Sequence, residues 1–173
     1  LERHAILQSL VDTVGETCNF TTRAGADVLY LDRVETRWPL RLHLEPGSRV
    51  PIHCTSSGKI FLAHMSKAER DAVLGQKKLT PHTPSTITSR KDLEAHLESV
   101  VAKDYSVDNE EFLLGLVAVA VPVRDAAGNV VAALACHAPV ARMPVTKAIK
   151  QLPHIRAAAA RLGDTLPVMP AKS

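Results

Sequence analysis

Three groupings of residues in this chain have types and spacings that could do chemistry. The first is His53-Cys54-Thr55-Ser56-Ser57-Gly58-Lys59, where hydroxyl side chains and a glycine lead into the apolar run Ile60-Phe61-Leu62-Ala63. Such a junction reads as the start of a helix, whose first amide groups have no partner within the helix and whose dipole favours negative charge, so a carboxylate would fit there. An ordinary helix cap, with Gly58 allowing close packing, is the competing reading. Ser56 and Lys59 also have the Ser-x-x-Lys spacing of penicillin-recognising enzymes, in which a lysine one turn away assists a serine nucleophile. No Ser-Asp-Asn or Lys-Thr-Gly element accompanies them, so the hydrolase reading stays secondary, as does a nucleophile built from Cys54 and His53. Gly58-Lys59 lacks the preceding glycine of a phosphate-binding loop.

The second grouping is Asp108-Asn109-Glu110-Glu111, which reads either as paired carboxylates or oxygen ligands for a hard cation, or, more simply, as a solvated turn. The third is the set His53, Cys54, Cys136 and His137, a soft-metal site if the fold brings the two pairs together. Neighbouring strand residues point to opposite faces, which keeps Cys136 and His137 from sharing one ion, so no metal and no cofactor is the expectation. His43, His64, His82 and His96 have no partner spacing and are read as surface residues.

The elements that would hold these groups follow from periodicity. Ile6, Leu7, Leu10, Val11 and Val14 paint one stripe on a helix ending near Gly15. Its charged, capless opening reads as the end of a longer linker helix over residues 1–15. Residues 18–23 and 28–34 flank the turn Ala24-Gly25-Ala26-Asp27 as a hairpin, and Leu40, Leu42 and Leu44 alternate with Arg41 and His43 as a third strand. Ser66 with Glu69 is a capping box for a helix over 67–74, and Ser89 with Asp92 a looser one before 93–103. Strands follow at 105–108, 116–123 and 130–137, the last two joined by a turn at 125–129. A closing helix spans 144–166, kinked or broken by Pro153, before a frayed tail over 167–173. Residues 80–88 form the surface loop expected to be mobile.

Within the best strand Val117, Val119, Val121 and Val123 occupy one face, and Leu116, Ala118, Ala120 and Pro122 the other; in its neighbour Val131, Ala133 and Ala135 share a face with His137. If the two small-residue faces lie on the same side of the sheet, they floor a cavity with one imidazole in its wall. Helices approaching closely over alanine are the plainer account.

Bulk properties set the frame. A chain of 173 residues with 46% hydrophobic and 23% charged content builds a single globular domain, and its element order, without strict strand-helix alternation, is that of an α+β fold. No apolar run approaches the roughly 20 residues of a membrane span and nothing resembles a secretory leader, so the reading is a cytoplasmic protein with no membrane partner. Cys18, Cys54 and Cys136 are an odd, dispersed set, suited to buried thiols. A net charge of +3 spread thinly along the sequence, with aromatic residues at 3%, is no nucleic-acid footprint.

Four stretches in order, GSRVPIHCTSSG at 47–58 with Lys59, YSVDNEEFLLG at 105–115, LVAVAVPVRD at 116–125 and AALACHAPVAR at 132–142, with Thr86-Ile87-Thr88 between, resemble the C-terminal effector-binding domain of IclR-type transcriptional regulators. The resemblance covers nearly the whole chain. It implies a GAF-like domain, a curved antiparallel sheet flanked by helices on both sides, with an effector pocket between the sheet and the loop-helix segment. It also implies a winged helix-turn-helix domain N-terminal to Leu1 that binds operator DNA, a non-catalytic sensing role in transcription regulation, and homodimers or homotetramers. The family's acid-binding positions fall on Ser56, Ser57, Asp108, Ala118, Ala135 and His137, and its apolar pocket positions on Leu42 and Val50. Relatives that recognise small keto acids carry hydroxyl or thiol groups where this chain has Ala118 and Ala135, and another small polar residue at His137. A larger organic acid, aromatic ones included, is the expected effector.

Overall fold

In the computed structural model, which describes residues 1–40, 42–76 and 78–167, the chain folds around a six-stranded antiparallel sheet of order β3-β2-β1-β6-β5-β4. Its strands are β1 (Thr17–Ala24), β2 (Asp27–Val34), β3 (Arg49–Pro51), β4 (Ser106–Asn109), β5 (Leu116–Arg124) and β6 (Val130–Pro139). The helices are α1 (Glu2–Val14), α2 (Ser56–Ala63), α3 (Lys67–Leu74), α4 (Arg90–Lys103), α5 (Val145–Lys150) and α6 (Leu152–Asp164). The sheet curls, and helices cover both of its faces, as expected of the GAF-like α+β class.

The two faces are built from different residues. One apolar cluster joins Leu7, Leu10 and Val11 of α1 and Ile155 and Leu162 of α6 to Phe20, Val119, Val121, Leu134 and Cys136 of the sheet. The other joins Ile60 and Leu62 of α2 and Leu93 and Leu97 of α4 to Val28, Tyr30, Ala120, Ala133 and Ala135. Strand pairing sets His137 opposite Ala118, Ala135 opposite Ala120, and Ala133 opposite Pro122, so both small-residue faces lie on the α2 side of the sheet.

Local signals account for most boundaries. The Ser66 hydroxyl accepts from the Glu69 amide while the Glu69 carboxylate accepts from the Ser66 amide, and the Ser89 hydroxyl caps α4 from Asp92 N. Gly25, at φ 62°, turns the β1–β2 hairpin, and Asp125 accepts from the amides of Ala127 and Asn129 to close the β5–β6 turn. The closing helix is broken at Gln151, with Pro153 in the first turn of α6, where its missing N–H costs nothing.

One expected strand is absent. Residues 40 and 42–44 are irregular and the third strand forms at β3 instead. The alternation of leucines arises because this segment crosses the rim of the sheet, with Leu40 exposed and Leu42 and Leu44 half-buried. The guanidinium of Arg33 donates to the Leu42 carbonyl, a side-chain bond in place of strand pairing. Residues 80–88 are tied down: the Thr83 hydroxyl donates to Glu110 O at 2.5 Å and the Thr86 hydroxyl to Glu111 O at 2.6 Å. Of the expected tail, residues 168–173 lie outside the described residues.

Candidate functional site

The junction before α2 is shaped by one close approach. A Cβ on Gly58 would stand 2.1 Å from the Ile52 carbonyl oxygen, so only glycine lets the first turn of α2 lie against the segment leaving β3. Thr55 caps that turn, its hydroxyl accepting from Gly58 N at 3.2 Å and donating to Pro51 O at 2.6 Å. Among the described residues no hydrogen bond is formed by the amides of Ser56 and Ser57, and both residues line the space over the alanine face of the sheet. Helix cap and free donors thus coexist, because the cap engages the third amide of the turn and leaves the first two.

The space they overlook is a buried cavity lined by Leu42, Val50, Ser56, Ser57, Asp108, Ala118, Ala135 and His137, together with Asn19, Tyr30, Thr55, Phe112 and Leu116. All eight residues expected at the site therefore line one cavity. Its volume is about 20 Å³, sufficient for roughly one water molecule. Of the five additional residues, Thr55, Phe112 and Leu116 lie within the family-like stretches but are not singled out there as site positions, and Asn19 and Tyr30 lie outside them. Asn19 and Tyr30 could have been found only from strand pairing: β1 with β6 sets Asn19 opposite Ala135, and β1 with β2 sets Tyr30 opposite Thr21.

His137 is 5% exposed and its imidazole has one partner, Asn19 Nδ2, at 3.2 Å from Nδ1. The Asn19 amide oxygen in turn accepts from Arg33 Nη1 at 2.9 Å. Because a guanidinium can only donate, it fixes the Asn19 amide with its nitrogen toward His137, so Nδ1 accepts and Nε2 carries the hydrogen. That Nε2–H is buried and unpartnered. Burial, reinforced by the Arg33 charge and opposed by Glu35, holds the imidazole pKa down at about 3, so the ring is neutral.

Asp108, 2% exposed, faces the opposite rim. Burial lifts its pKa to about 7; hydrogen bonding from the Glu111 amide at 2.8 Å and the Lys59 charge oppose the rise, and the Glu111 carboxylate adds to it. The solvated turn expected at 108–111 is thus a buried polar knot, since Glu111 is also buried and receives Lys59 Nζ at 2.8 Å on both oxygens. Lys59 is fully buried and spends its remaining proton on Val107 O at 2.5 Å. With all three donors engaged it cannot serve Ser56 as a base, which removes the basis of the Ser-x-x-Lys reading. The Cys54 thiol, pushed up to about 12 mainly by burial, is equally unsuited as a nucleophile.

The metal quartet does not assemble. Cys136 packs with Cys18 in the apolar cluster beneath α1 and α6, whereas the next residue, His137, faces the cavity on the other side of the sheet. Of the histidines taken for surface residues, His64 and His96 are half-buried: His64 Nδ1 bonds to Ile60 O, and His96 Nε2 is buried without a partner. His43 and His82 are exposed.

Comparison with known proteins agrees with this architecture. Residues 2–163 match the family described as bacterial transcriptional regulator IclR, C-terminal. The chain belongs to the IclR family. It is 48% identical over 163 residues to the probable transcriptional regulator SauR of Cupriavidus necator, covering 94% of this chain and 65% of SauR. It is 33% identical to the regulator BhcR of Paracoccus denitrificans over 80% of this chain and 50% of that protein. It thus spans about half to two thirds of these relatives. Among solved structures, a double mutant of the inducer-binding domain of the PobR transcription factor from Acinetobacter, in complex with 3-hydroxybenzoic acid, superposes with a TM-score of 0.86 at 28% identity, over 96% of this chain and 99% of that one. IclR of Thermotoga maritima gives 0.83 at 28% identity, over 93% and 67%. The fold and family make this an IclR effector-binding domain. No described helix is long and apolar enough to cross a membrane.

Proposed function

We propose that this IclR domain binds a small organic acid, an aromatic monocarboxylate being the best fit, in the cavity between α2 and the alanine face of β5 and β6. One observation carries the reading: the buried, unpartnered Nε2–H of His137 belongs to a residue that lines the same cavity as Ser56 and Ser57, which open α2 on its other side. An unsatisfied buried donor costs about 1–3 kcal/mol, which a ligand oxygen recovers. The carboxylate meets the helix start, a second oxygen accepts from His137, and a ring lies over the short side chains of Ala118 and Ala135 once the cavity opens. PobR with its hydroxybenzoate is the supporting precedent. Because the cavity is closed to about 20 Å³, a ring enters only when the rim segment carrying Leu42 swings out and the Arg33 clasp on its carbonyl opens.

The protein is read as a cytoplasmic regulator, without catalysis, in which the effector favours one conformation or association state. That preference passes along α1 to a winged helix-turn-helix domain reading operator DNA as a dimer or tetramer. Calorimetric titration with 3-hydroxybenzoate, benzoate and pyruvate tests the reading. The expected result is that an aromatic acid binds best and that His137→Ala lowers its affinity at least tenfold. Equal affinity in His137→Ala, or no binding by any of the three, overturns it.

A further inference from the structure

Beside the effector cavity, on the outer side of Phe112, three soft donors converge from separate segments. His53 and Cys54 come from the stretch between β3 and α2, and His82 from the loop between α3 and α4. One donor atom from each lies within 4.8 Å of the others. The rings of His53 and His82 are 5.7 Å apart, and His82 stands edge-on to Phe112 at 5.6 Å. Two imidazoles and a thiol gathered this closely from separate segments offer a cation three ligands.

We propose that His53, Cys54 and His82 form a zinc site. Two imidazoles and a thiolate suit zinc in preference to magnesium or calcium, and three protein ligands leave a fourth position for water. His53 already has the orientation that metal-bound histidines need. Its Nε2 lies 2.9 Å from the Thr80 carbonyl, which can only accept, so Nε2 carries the hydrogen and Nδ1 keeps its lone pair. The Cys54 proton leaves to solvent as the sulfur binds. In a tetrahedral zinc site the donor atoms are about 3.5 Å apart, so the ligands close up by roughly an ångström. The side chain of His82, exposed on a backbone that Thr86 Oγ1 anchors at 3.0 Å from its amide, supplies that movement. The ion would tie the α3–α4 loop to the start of α2, next to the wall that Phe112 contributes to the cavity.

The test uses purified full chain freed of metal by chelator, with cobalt(II) as the spectroscopic probe and zinc(II) in competition against a chromophoric chelator. The expected result is one ion per chain, a near-ultraviolet sulfur-to-cobalt band with the intense visible bands of a tetrahedral centre, and displacement of cobalt by zinc. His82→Gln, at an exposed position that leaves the fold intact, should weaken zinc by at least about tenfold, since even partners one bond removed from a metal cost 10–100-fold. Cys54→Ser should abolish the sulfur band. A cobalt spectrum without thiolate character, or zinc affinity indifferent to His82→Gln, overturns the assignment.

Discussion

Strands β5 and β6 supply two floors to the molecule, and the two floors are opposites. Toward α1 and α6 they present Val117, Val119, Val121, Val123, Leu134 and Cys136, all essentially inaccessible and closely filled. Toward α2 they present Ala118, Ala120, Ala133 and Ala135 and end in His137, with Ser56, Ser57, Asn19 and Asp108 around the space that the alanines leave. Each strand alternates between these sets residue by residue, so under the proposed function stability and recognition fall to neighbouring positions of the same backbone. The valine floor has its reward in apolar area removed from water. On the alanine floor polar groups are buried with a donor left over, an arrangement that costs free energy and that the proposed ligand would relieve.

The sharpest way to break this comparison is to exchange chemistry between adjacent residues. Leu134→Ala removes a fully buried side chain from the filled floor and should cost about 2–5 kcal/mol in urea unfolding while leaving acid binding to the remaining folded protein unchanged. Ala135→Leu, one residue on, should do the reverse, abolishing acid binding for an overpacking cost of about 1–3 kcal/mol at most. If both variants lose stability alike and bind alike, the two floors are not functionally distinct.

The titration behaviour of the hollow side gives the next effect. Asp108, whose neighbours are Lys59, Glu111, Tyr30 and Cys54, has a folded pKa of about 7 against an ordinary 3.8. Between those values the folded state holds the proton and the unfolded state has lost it, so this carboxyl's contribution is present in acid and fades as pH rises. His137, facing Arg33 and Glu35, is the mirror case, at about 3 against 6.5: the unfolded state takes the proton first, and stability is lost as pH falls. Asp108→Asn should therefore gain on the unaltered protein as pH rises from 4 to 7, and His137→Gln should gain as pH falls, each by about 1.4 kcal/mol per pH unit at the steepest point. Unfolding free energies across that range, compared pairwise, are the measurement; slopes of the same sign would refute the assignment. A smaller loss, about 1–3 kcal/mol, is expected for Gly58→Ala, whose methyl would press on the Ile52 carbonyl and push the first turn of α2 off the cavity.

What could be read from the sequence follows the same division. Period-two alternation placed the valines and alanines on separate faces, and the capping residues Ser66 and Ser89 marked helix starts, because both signals are local. The eight site positions came from family resemblance together with that alternation. The segment around Leu42 misled because a rim strap with half-buried leucines has the same period as a strand. Asp108 to Glu111 looked solvated because Lys59, the partner that lets Glu111 be buried, lies 52 residues away in the chain. His82 gave no signal at all, since its approach to His53 and Cys54 depends on how Thr83 and Thr86 fasten the α3–α4 loop to the β4–β5 connection.

The smallest effect concerns the Arg33–Asn19–His137 relay, and it separates a pre-set hollow from an accidental one. Arg33 has only donors to offer, so Asn19 must present its oxygen to Arg33 and its nitrogen to His137, and the imidazole is left with a single permitted tautomer. If that ordering exists to aim Nε2–H at an acid, shortening Asn19 should release the tautomer without unfolding the sheet. Nitrogen-15 NMR of the histidine ring should show the Nε2–H form alone in the unaltered domain and a mixture in Asn19→Ala, at a stability cost near 1 kcal/mol for the lost hydrogen bond. A single tautomer in both proteins would mean that the polar side of the sheet owes its order to packing, as the valine side does, and the contrast between the two floors would then be one of side-chain size alone.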